Sequence, residues 1–176
     1  AFQFLTEAEK LGIDDIEHTK DGKHTKKIVI CNYERLHYLN PDDFVAVICD
    51  ESSILKNFDG KTKQAVTAFI RKVSYRFLAT ATPAPNDYIE LGTSSEALGH
   101  LGYMDMLGRF FKNDNNNVAK ISQVDKARMG MEYYLEPHAE NDFWKLVSQW
   151  SISIRKPSDL GFSDERYVLP ELIEKQ

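Results

Sequence analysis

Short apolar runs punctuate the first half of the chain, and each stops abruptly at polar residues. Residues 28–31 read Ile-Val-Ile-Cys, residues 45–49 read Val-Ala-Val-Ile-Cys, and residues 76–79 close on Phe-Leu-Ala. Runs of four or five residues, rich in β-branched side chains and without outward polar alternation, predict buried strands. Helical spacing intervenes. Residues 61–72 place Ala65, Val66, Phe69 and Ile70 on one stripe, and residues 2–11 do the same with Phe4, Ala8 and Leu11 before the stop signal Gly12. Asn32 is placed to cap a short helix over 33–39, which Asn40-Pro41 closes. Residues 14–27 are polar and predict an exposed loop or hairpin with a short strand. Buried strands separated by amphipathic helices predict an α/β fold with a mainly parallel sheet covered on both faces. In such sheets ligands bind beyond the carboxyl ends of the strands.

The second half carries weaker patterns. Asn86 is placed to cap a helix through Leu91, and a second helix is predicted over 103–111. Residues 113–117 form a polar loop tip. Pro137 suits the first turn of a helix bearing Ala139, Phe143, Leu146 and Trp150 on one face. A last strand is predicted over 151–155, and Pro157, Gly161 and Pro170 break up the tail. These patterns divide the chain into a core over 1–104, a helical extension over 105–155 and a connector over 156–176.

Composition narrows the class. The 176 residues are 42% hydrophobic and 28% charged, which excludes a disordered, collagenous or coiled-coil chain and fits one domain. No run is long and apolar enough to predict a membrane span. A net charge of −5 argues against a protein that coats nucleic acid, so any DNA contact is local. Two cysteines cannot build a disulfide framework. Cys31 and Cys49 lie in apolar runs and are expected as buried, reduced thiols of a cytoplasmic protein.

The candidate chemistry centres on Asp50-Glu51, two adjacent carboxylates at the end of an apolar strand. A magnesium nucleotide gives such a pair a use: one carboxylate holds the metal through water, and its neighbour orients or deprotonates the attacking water. The plainer alternative is a solvated strand end, or acids that stabilise a helix N-terminus. Other chemistries fit less well. The five histidines are dispersed, no Gly-x-Ser-x-Gly elbow occurs, and no second acidic cluster completes a nuclease site. Gly60-Lys61-Thr62 lacks the glycine five residues earlier that a phosphate loop requires, since Leu55 stands there; it is expected to be a turn and helix start.

The order of these segments resembles the superfamily-two helicase-like ATPases, and within them the Swi/Snf-type double-stranded DNA translocases of phage and bacteria. Asn32-Tyr33-Glu34 stands at the family's Ib element near the DNA backbone. Asp50-Glu51 matches Walker B, followed by the matching pair Lys56-Asn57. Thr80-Ala81-Thr82-Pro83 matches motif III, and Asn86 and Glu90-Leu91 fit the pattern after it. The match spans about residues 28–101, and the run Lys156-Pro-Ser-Asp-Leu-Gly161 is similar to the approach to the second lobe. Ser53 departs from the family's histidine and Ala81 from its glycine.

The resemblance implies an incomplete RecA-like lobe of an ATP- and magnesium-dependent translocase, cytoplasmic and bacterial or phage-encoded. Its partners would be the duplex DNA backbone and a second RecA-like lobe. Glu51 would be the base or water-positioning residue and Asp50 the magnesium-associated carboxylate. Thr80, Ala81 and Thr82 would couple nucleotide state to DNA, with Asn32, Tyr33 and Arg35 near the DNA phosphates. The phosphate loop would lie upstream of Ala1, so the chain alone is expected to hydrolyse no ATP. The rival reading is a non-catalytic α/β module that binds DNA or protein.

Overall fold

The computed structural model describes residues 2–56, 60–84, 88–113, 133–165 and 168. Asn57, Asn86, Pro170 and the predicted loop tip at 114–117 lie outside them. The chain divides into two compact units, Ala1–Glu140 and Asn141–Gln176. Helix α1 (Phe2–Lys10) precedes β1 (Ile16–His18) and β2 (Ile28–Ile30). The first unit then runs through β3 (Ala46–Cys49), α2 (Lys61–Ile70), β4 (Tyr75–Leu78), α3 (Leu91–Leu98), α4 (Tyr103–Phe110), β5 (Phe111–Asn113) and β6 (Tyr133–Leu135). Helix α5 (Glu140–Ser148) and a 3₁₀ turn at Pro157–Leu160 follow.

The fold is mixed helix and strand. Among the described residues the strands form three separate pairs: β1–β2 and β3–β4 are parallel, β5–β6 antiparallel. The polar stretch after β1 is therefore a tight crossover and not a hairpin. Carboxylates hold it in shape. Glu17 accepts hydrogen bonds from the amides of Thr25 and Lys26, and Asp15 accepts one from Lys27 at 3.0 Å. Gly22 sits in this crossover at φ +85°, where a Cβ would run into the Tyr38 carbonyl, so glycine is required.

The core of the first unit lies under one face of β3–β4. Cys49 joins Leu55, Val66 and Ile70 of α2 and Ala97 of α3, with Tyr33, Leu36, Val47, Phe69 and Leu78 packed around them. The opposite face is bare. Among the described residues Ala46 is exposed, Ile48 is 72% exposed, and Tyr75 and Phe77 beside them are 64% and 56% exposed. The strands were expected to be buried on both faces. Instead they alternate in burial, because α2 and α3 cover only one side.

Several smaller expectations also change. Ala65, expected on the apolar stripe, is exposed, whereas Lys63 is buried with its ammonium 2.6 Å from Glu96 of α3. Cys31 is only half-buried. Residues 151–154 form no strand; they are exposed and lack a ladder partner among the described residues. The helix expected from Pro137 begins at Glu140, with Phe143 and Val147 buried. Asn32 precedes a 3₁₀ helix, Tyr33–Tyr38, without a side-chain capping bond, while Asn40 accepts the Asp42 amide at 3.3 Å and starts the 3₁₀ turn Pro41–Asp43. No helix of the described residues is long and apolar enough to cross a membrane.

Candidate functional site

Parallel pairing brings the carboxyl ends of β3 and β4 side by side. Cys49 pairs with Leu78 as the last rung, so the residues after each strand leave the sheet at the same end. The ladder extends one step further. The Ala79 amide donates to the Cys49 carbonyl and the Ser52 amide to the Ala79 carbonyl, both at 2.9 Å. Asp50-Glu51 and Thr80-Ala81-Thr82 are thus neighbouring turns.

The carboxylate turn is unusual in its backbone. Glu51 has φ 49° and ψ 47°, the left-handed region, and is the one non-glycine residue with positive φ among those described. For a residue with a Cβ this conformation costs about 1–2 kcal/mol. Ser52–Leu55 then form a 3₁₀ turn, with Ser52 and Leu55 buried beneath it. Glu51 occupies the cap position of that turn, but its side chain makes no capping bond. Asp50 and Glu51 are exposed, and among the described residues neither carboxylate has a hydrogen-bond or ion-pair partner. Acidic capping therefore does not account for the pair.

The threonine turn folds on itself. Thr80 Oγ1 accepts the Thr82 amide at 3.1 Å, which closes a tight loop after β4. Lys56 joins the two turns by donating from Nζ to Thr82 Oγ1 at 3.3 Å. The threonine hydroxyls thus bond within their own turn and to Lys56, and not to Glu51. Lys56 is the site residue that the sequence reading placed in a motif but did not name among the functional side chains. Its signal was the spacing from Asp50-Glu51.

The segment expected near DNA divides in two. Asn32 is exposed, and Arg35 is exposed while donating from Nη1 to the Lys20 carbonyl at 2.6 Å. Tyr33 turns inward. Its ring packs on the core, and its hydroxyl donates to the Asp50 carbonyl at 2.7 Å. Burial raises the Tyr33 hydroxyl well above its ordinary pKa, and the neighbouring Cys49 thiol and the Asp50 and Glu51 carboxylates push the same way. The group stays a proton donor.

Two unpartnered carboxylates suit a hydrated magnesium ion, which is held by one or two carboxylates together with substrate phosphates. The described residues contain no cluster of three or more potential metal ligands, so a metal here would depend on those phosphates. Gly60 precedes α2 as an extended residue without a side-chain cap, consistent with a helix start. Compared with protein-family models, curated proteins and solved structures, the chain matches none.

Proposed function

We propose that the chain is part of the first RecA-like lobe of an ATP-dependent double-stranded DNA translocase. The observation that carries this reading is the adjacency of the Asp50-Glu51 turn and the Thr80–Thr82 turn at one end of a parallel strand pair. Magnesium bound there with ATP would supply charge neutralisation at the phosphates. Asp50 would hold the metal through water, and Glu51 would orient the attacking water and take its proton. Lys56, bonded to Thr82, would carry the state of the carboxylate turn to the motif III turn. Asn32 and Arg35 would face the DNA phosphates, a contact indifferent to sequence.

The bare sheet face supports the same reading. Parallel pairs are normally covered on both sides, yet Ala46, Ile48, Tyr75 and Phe77 stand exposed. Strand β4 is also paired on one edge only among the described residues. A parallel strand added beside β4 would end next to Thr80–Thr82 and the two carboxylates. That is the place a phosphate loop has to occupy, so its occupant is taken to be the phosphate-loop segment of the same lobe.

The test is Glu51→Gln in the full-length parent. A motor keeps nucleotide binding and loses DNA-stimulated hydrolysis by at least about a hundredfold. Unchanged hydrolysis, or a parent that hydrolyses no ATP, favours the non-catalytic binding module instead.

A further inference from the structure

Glu51 is strained, and the peptide groups on both sides of it are held from outside the turn. On its N-terminal side the Asp50 carbonyl accepts the Tyr33 hydroxyl at 2.7 Å. On its C-terminal side the Ser52 amide donates to the Ala79 carbonyl at 2.9 Å. A strained backbone persists only where its surroundings over-determine it. Here the two restraints come from different elements: the 3₁₀ helix Tyr33–Tyr38 and the turn that follows β4.

We propose that Tyr33 is a positioning residue for Glu51: its hydroxyl and the Ala79 carbonyl together clamp Glu51 in the left-handed conformation and so fix the direction of its carboxylate. The role of that carboxylate rests on the ATPase reading above; the clamp itself does not. Rotation of the 50–51 peptide would break the Tyr33 bond and free Glu51 to relax to negative φ. The clamp therefore ties the aim of Glu51 to the segment carrying Asn32 and Arg35 on one side and to the threonine turn on the other. The tyrosine suits this work because its ring packs against the core while its hydroxyl, a proton donor at neutral pH, reaches the Asp50 carbonyl.

A double-mutant cycle on the chain tests the clamp without nucleotide. Glycine tolerates the left-handed region and alanine does not, so Glu51→Gly folds with an equilibrium constant about fivefold larger than Glu51→Ala. In the Tyr33→Phe background that ratio falls below about twofold, because the peptide can now turn over. Loss of ring packing alone would leave the ratio unchanged. An undiminished ratio in the Tyr33→Phe background, or no advantage of glycine in the parent background, overturns the proposal. Should Tyr33→Phe not fold, NMR of the unmodified chain decides. A slowly exchanging Tyr33 hydroxyl proton with positive φ at Glu51 supports the clamp, and a freely exchanging proton or negative φ refutes it. If the clamp fails while Glu51→Gln still blocks hydrolysis in the parent, the ATPase reading stands without it.

Discussion

At the β1–β2 pair, Asp15, Glu17 and Asp21 turn their oxygens onto the backbone amides of residues 23–27, whereas at the β3–β4 pair Asp50 and Glu51 leave theirs open to solvent. Both pairs are parallel and short, and acidic residues lie beside each: Asp15, Glu17 and Asp21 before, within and after β1, and Asp50-Glu51 after β3. The first group of acids is structural. Amide bonds from Lys27, Lys26 and Lys23 respectively are the largest cause holding the Asp15, Glu17 and Asp21 carboxyls below the ordinary carboxylate range. The second group does nothing visible for the fold, and its backbone is held in a costly conformation. Acids that stabilise nothing locally, on a strained turn at the carboxyl end of a parallel pair, are available for a ligand.

The comparison can be sharpened first where an acid is most deeply committed. Glu96 pairs with Lys63, whose side chain is 6% exposed against 27% for Glu96. Glu96→Ala removes the carboxylate from a nearly buried ammonium and should cost about 2–3 kcal/mol, below the range for fully buried pairs because Glu96 reaches solvent. Urea unfolding measures it, and a loss under about 0.5 kcal/mol would show the pair to be dispensable. The acids of the crossover come next. Their folded pKa values are depressed, so the unfolded chain binds more protons near the carboxylate range and stability rises with pH there. The contribution is fully present above the unfolded pKa values and is lost as pH falls through the folded ones. Glu17→Gln should lower Tm at pH 7 and flatten the acid limb of the Tm–pH curve. An acid limb identical to that of the unmodified chain would break the distinction between the two groups.

How much of this was legible in the sequence depends on the range of the interaction. Strands β2, β3 and β4 were readable to within a residue, because runs such as residues 28–31 and 45–49 stand between polar segments, whereas β5 and β6 were not read and the strand expected over 151–155 does not form. The helix expected over 103–111 from a weaker pattern is present at Tyr103–Phe110. Coverage of the sheet was not. Val47 and Ile48 are equally apolar, and only the placement of α2 and α3 decides that one is inside and the other 72% exposed. Lys63 could not be separated from Lys61 by charge; it needed Glu96, thirty-three residues away. At the site, the acidic doublet and the threonine turn were readable as motifs. The Tyr33 bond to the Asp50 carbonyl and the left-handed Glu51 were not, since a backbone acceptor leaves no mark on side-chain pattern. Of the three residues expected near DNA, Tyr33 bonds to the Asp50 carbonyl, while Asn32 and Arg35 are exposed.

The smallest expected effect bears hardest on the comparison. If Asp50 and Glu51 are uncommitted, Asp50→Asn and Glu51→Gln should each leave the folding free energy of the chain within about 0.5 kcal/mol. Both replacements preserve side-chain shape, and glutamine at 51 carries the same left-handed cost as glutamate, so backbone strain cancels in the difference. Each removes one of two consecutive negative charges from a chain of net charge −5, which lowers self-repulsion. That contribution is stabilising, so the expected deviation is toward a slightly higher urea midpoint. A loss of 1 kcal/mol or more from either variant would instead mark the doublet as structural, like Glu17. The open carboxylates would then have an explanation within the fold, and the argument for a ligand at the ends of β3 and β4 would lose its physical ground.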